Sequence, residues 1–81
     1  MATFYFHIRH TGGLVKDPDG SECVNLVAAI AEARKDVRAI VSDRIRAGSK
    51  VEPWSIEVAN LNGSKLAEVR FHDIVRECLE S

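Results

Sequence analysis

The sequence has no surplus of either charge. Eleven Lys and Arg residues meet twelve Asp and Glu, a formal net charge of −1 at pH 7. That balance removes the usual electrostatic basis for binding nucleic acid, in which many cations meet many phosphates. No apolar run approaches the ~18 residues of a membrane span, and the amino-terminal stretch lacks the basic-then-apolar order of a secretory signal. No Cys/His cluster has zinc spacing, no phosphate-binding glycine-rich motif appears, and no repeat or low-complexity segment is visible. These absences lead us to expect a cytoplasmic chain with no membrane segment, no metal and no cofactor. Cysteine is scarce as well: Cys23 and Cys78 are the only two. In a reducing compartment they are expected as thiols, and nothing in their spacing asks for a bridge.

What is present is a globular composition, 46% hydrophobic and 28% charged over 81 residues. A chain of this length makes a single domain, residues 1–81, and buries about 60–65% of its unfolded surface.

The strongest local signal is an amphipathic helix over residues 25–48. Leu26, Ile30, Ala33, Val37, Ile40, Val41 and Ile45 trace one stripe of a 3.6-residue period, with charged residues between them. Asn25 is suited to cap its start and Gly48 to end it, while Arg44 and Arg46 complement the dipole in the last turn. A helix of this length exceeds a typical strand, so one end is expected to overhang the sheet. Arg44 points close to the middle of the apolar stripe. Its stem is expected to pack while its guanidinium passes the end of the sheet. A buried ion pair or a partner contact is the sharper alternative.

On either side of the helix the pattern changes to strands. Residues 3–9 alternate, with Phe4, Phe6 and Ile8 toward the helix and Tyr5, His7 and Arg9 away from it. A turn at residues 10–13 leads to a short returning strand at 14–16. Asp17-Pro18-Asp19-Gly20 reads as a second turn, after which residues 21–24 carry the chain to the helix. Beyond Pro53, residues 54–60 and 65–71 form a hairpin about Asn62-Gly63. A two-residue turn there sets Val58 opposite Ala67, Ile56 opposite Val69, Trp54 opposite Phe71, Ala59 opposite Leu66 and Glu57 opposite Glu68. The last pair is a like-charge contact that Arg9 or Arg70 would relieve. His72-Asp73 then caps a short closing helix with an apolar stripe of Ile74, Val75, Cys78 and Leu79, which makes Cys78 a packed thiol. The order is ββαββα. We expect an α+β fold: a four-stranded, mostly antiparallel sheet, one long helix on one face, and a short C-terminal helix.

Three histidines are the obvious candidates for chemistry, but His7 and His10 start on opposite faces of a strand and make no ready metal pair. His7 would join Tyr5, Arg9, Glu57, Glu68 and Arg70 on the uncovered sheet face. The ordinary reading of that patch is a solvated face of cross-strand pairs. The functional one is a small binding surface, or an acid–base site with His7 titrating. No nucleophile stands out, and no catalytic residue is nominated.

Taken together, Phe4-Tyr5-Phe6-His7-Ile8-Arg9, Asp17-Pro18-Asp19-Gly20 with Glu22, and the closing Phe71-His72-Asp73 resemble a family of small uncharacterised bacterial proteins abundant in rhizobia and related alphaproteobacteria. The resemblance spans nearly the whole chain and departs at Asn25, where an acidic cap is common, and in the two cysteines. It implies membership of a domain family of unknown function, so no site residue carries over.

The expected role is a non-enzymatic module acting through protein contacts, as a homodimer or an accessory subunit. Its surfaces would be the open sheet face, the helix end at Val41, Arg44 and Ile45, and a sheet edge. The alternative is a small-ligand or nucleic-acid-binding module using Tyr5, His7 and Arg9.

Overall fold

The computed structural model describes residues 1–80. The elements run β1 (Ala2–His10), β2 (Gly13–Val15), β3 (Ser21–Cys23), α1 (Leu26–Arg46), β4 (Ser55–Ala59), β5 (Lys65–Arg70) and α2 (Phe71–Glu80). Every pairing is antiparallel and the sheet order is β2-β1-β4-β5, with β3 also on β1. The fold class is therefore α+β as expected, with one strand more. Residues 2–4 of β1 pair with β3, and residues 8–10 pair with β2. Because β4 occupies the other side of β1, β2 and β3 lie end to end along one outer edge.

Asn25 does cap α1: its Oδ1 accepts from the Ala28 N–H at 2.9 Å. Asn25→Ala should cost about 1 kcal/mol, read as a lower urea midpoint at unchanged slope. At the other end the Ser49 N–H donates to Arg44 O at 2.8 Å and the Gly48 N–H to Ile45 O at 3.1 Å, the paired bonds of a Schellman stop.

The buried line of α1 is Ala29, Ala33, Val37 and Val41, flanked by partly buried Leu26, Ile30 and Ile40. Two alanines in this line let the helix axis come close to the sheet. Under them lie Phe4, Ile56, Val58 and Val69, with Phe71 and Ile74 of α2 closing the core. Ile45, assigned from its spacing to the apolar stripe, is instead 59% exposed. None of the helices among the described residues is long and apolar enough to cross a membrane.

The β4–β5 register matches expectation at Ile56–Val69, Glu57–Glu68 and Val58–Ala67, then departs from it. Ala59 faces Lys65, not Leu66, across a bulge. The loop closes between the Asn60 N–H and Ser64 O, and the Asn60 side chain accepts from the Asn62 and Ser64 amides. A side-chain acceptor one residue into the loop thus favours a longer turn than Asn62-Gly63 alone would make.

α2 starts directly after β5 at Phe71, ahead of the expected His72-Asp73 cap. The Phe71 N–H still donates to Trp54 O at 2.9 Å, so the expected Trp54–Phe71 pairing persists one step beyond the strands. Cys78 is exposed and Leu79 is 81% exposed, so the far end of the expected stripe runs past the core. Cys23 is buried.

Candidate functional site

Strand alternation puts one set of side chains under α1 and the other on the opposite face. The opposite set is Tyr5, His7 and Arg9 on β1, beside Ala59, Glu57 and Ser55 on β4. Glu68 and Arg70 on β5 adjoin Glu57 and Ser55. The six residues nominated for this face therefore lie together. The three nominated on α1 do not join them. Val41 is 1% exposed and belongs to the core, Arg44 lies half-buried with its guanidinium 5.7 Å from the centre of the Trp54 ring, and only Ile45 is exposed. The Arg44 stem packs as expected, and its charge rests on an aromatic face.

No helix covers this second face among the described residues, yet its central strand is not wet. Ser55 and Glu57 are buried, at 3% and 8% exposure, because longer side chains from β1 and β5 fold over them. Arg9 Nε donates to Glu57 Oε2 at 2.8 Å, which relieves the Glu57–Glu68 opposition. Glu57 in turn holds the Arg9 guanidinium above its ordinary range. Glu68 accepts from Ser55 Oγ at 2.6 Å, and Lys65 Nζ lies 3.5 Å away. The Ser55 hydroxyl, then Lys65 and Arg70, hold the Glu68 carboxyl below the usual range against a smaller effect of burial. Arg70 supplies no direct contact to either glutamate; its Nε donates to Asp73 at 3.1 Å.

His7 stacks on Tyr5 with ring centroids 6.1 Å apart. Its Nδ1 accepts from the Asp17 N–H at 3.0 Å, so the neutral ring carries its proton on Nε2. Asp17 is the hub of the loop between β2 and β3. Its carboxylate accepts from the Phe6, Asp19 and Gly20 amides at 3.2–3.3 Å. Phe6 sits where β1 has run past β3 and not yet met β2, so Asp17 supplies the acceptor that a strand would have given. Burial pushes this carboxyl up, but the amides of Gly20, Phe6 and Asp19, with His7 nearby, outweigh it and leave it below the ordinary value.

The same loop walls a shallow depression of about 450 Å³ on this face. Lys16 and Asp17 line one side, Asn60, Leu61 and Lys65 the other, and Tyr5 and His7 the floor between them. Lys16, Asp17 and Lys65 are site residues that the sequence reading missed. The Asp-Pro-Asp-Gly run announced a turn, but not that its first carboxylate would be spliced into the sheet edge. The other histidines lie elsewhere: His10 accepts from the Gly12 N–H and sits against Trp54, and His72 lies by Val51 O at 3.4 Å.

A family model described as "Domain of unknown function (DUF6894)" matches residues 3–72. That span takes in the whole sheet, α1 and the loop built on Asp17. No curated protein and no solved structure matches the chain.

Proposed function

The chain belongs to the DUF6894 family of domains of unknown function, and we propose that it is a non-catalytic module that binds a protein partner through its open sheet face. One observation carries this reading: the depression between the Asp17 loop and the β4–β5 loop is broad, shallow and lined by an aromatic pair and lysines. Aromatic and basic side chains over a rigid, pre-formed floor are what contact surfaces concentrate. The acidic groups there are engaged, Glu57 by Arg9 and Asp17 by backbone amides. Lys16 meets no carboxylate among the described residues, and with Lys65, which lies beside Glu68, it favours an acidic partner surface. His7 is held at Nδ1 by backbone, which suits a fixed contact better than proton transfer.

Pairing of a second copy along an edge strand fits the structure less well. β5 carries a bulge beside Ala59 and charged ends at Lys65 and Arg70, and the opposite edge is broken between β2 and β3. Both are devices that discourage edge-to-edge addition.

The test is native mass by light scattering across a concentration series, followed by affinity capture with three baits. Tyr5→Ser combined with Lys16→Glu and Lys65→Glu should weaken binding of the captured partner, or of a second copy, at least tenfold. Lys35→Gln with Arg38→Gln, on the exposed side of α1, should leave it unchanged. Equal binding by all baits would overturn the reading, as would a persistent monomer that captures nothing.

A further inference from the structure

The junction of β5 and α2 holds a second concavity, a groove of about 440 Å³. We infer that it is an oxyanion site for a small phosphorylated molecule. Three arginines, Arg9, Arg70 and Arg76, line it together with His72 and Trp54. Arg9 and Arg70 each commit only Nε to a protein carboxylate, Glu57 at 2.8 Å and Asp73 at 3.1 Å. Their Nη groups meet no acceptor among the described residues, and Arg76 meets none with any of its nitrogens. Unengaged guanidinium edges of three arginines thus face one groove.

The two carboxylates that also line the groove are already engaged. Glu68 accepts from Ser55 Oγ and lies beside Lys65, and Asp73 takes Arg70. Counting the buried Glu57 beneath Arg9 cancels the local positive surplus, so the unused donors favour an anion here more than the net charge does. Guanidinium forks match phosphate oxygens in bidentate geometry. Several such edges offer more N–H donors than the two oxygens of a carboxylate can use, which selects a phosphate group. The volume lies within the ~300–1,000 Å³ typical of small-molecule sites. Trp54 also borders the groove, and its ring is packed against His10, Phe71 and Arg44. This site is separate from the depression beyond Tyr5 and His7 and does not depend on it.

Trp54 is the only tryptophan and one of the residues bordering the groove, so its intrinsic fluorescence is the readout. Titration with pyrophosphate, against sodium chloride at matched ionic strength, should give a saturable change that chloride does not reproduce. Arg70→Gln with Arg76→Gln should raise the dissociation constant at least tenfold. Arg76→Gln alone has no ion pair to lose and tests the site without disturbing the fold; it should raise the constant at least threefold. Arg9 is left in place because it borders both surfaces, and Tyr5→Ser should bind pyrophosphate as the native chain does. A response matched by chloride, or one unchanged in both arginine variants, would overturn the assignment.

Discussion

Gly20→Ala is expected to lower the thermal unfolding midpoint by about 12–24 °C, the equivalent of about 3 kcal/mol in a domain of this size. Gly20 has φ +71°, and a Cβ built there falls 2.9 Å from Thr3 Cγ2, 3.0 Å from Tyr5 Cε2 and 3.1 Å from Phe4 O. The two side-chain ends can yield. The carbonyl of a paired strand residue cannot, because Phe4 is held in register with Ser21. The left-handed conformation alone costs about 1–2 kcal/mol for a residue with a Cβ, and overpacking adds about 1–3 kcal/mol. Gly63 separates the two effects. It has φ +86° with nothing within 4 Å of an added Cβ, so Gly63→Ala should cost only the conformational part, about 1 kcal/mol. Circular-dichroism melts of both variants make the comparison. Equal losses would mean that the Asp17 loop re-routes around the new methyl and that its contact with β1 is not rigid.

That loop also marks where the sequence stops being legible. The helix could be read because capping, periodicity and the terminal glycine all point the same way over a long segment. The register of β4 on β5 could be read because only one pairing gathers Ile56, Val58, Ala67 and Val69 on one face. β3 could not: Ser21-Glu22-Cys23 has no apolar alternation, and it becomes a strand because β1 is long enough to hold two short partners on one edge. Ala29 was missed for a related reason, since its contribution is small size and not hydrophobicity. The open face was legible as a set, because alternation alone assigns Tyr5, His7, Arg9, Glu57, Glu68 and Arg70 to it. Its walls were not, because they come from loops whose position depends on the bulge at β5 and on the Asp17 carboxylate. The arginine groove was hidden for the same reason. Arg9 and Arg76 are distant in sequence and meet only because α2 turns directly out of β5.

Asp17→Ala should destabilise the chain by about 2–3 kcal/mol at pH 7, with the loss coming from hydrogen bonds to a charged acceptor that leave partly buried amides unpaired. Three amides depend on this one carboxylate. Asp17→Asn should fall between the two: its remaining oxygen can still serve Asp19 and Gly20, while its amino group offers nothing to the Phe6 N–H. The folded chain holds this carboxyl below its unfolded value. Its contribution is therefore complete above the ordinary Asp range of about 3.9 and is lost as pH falls through the lower folded value. The stability difference between native chain and Asp17→Ala should accordingly be flat from neutral pH down to that range and shrink below it. Urea unfolding of both proteins at a series of pH values measures that difference and subtracts the similar trend from Glu68. A difference that stayed constant into strong acid would show that the loop is held by shape and not by the charge. The same substitution separates folding from binding. If Asp17 holds Lys16 and the Tyr5–His7 pair in place for a partner, binding through the open face should weaken at temperatures where Asp17→Ala is still fully folded. Phosphate binding at the arginine groove, on the far side of Arg9, should not change.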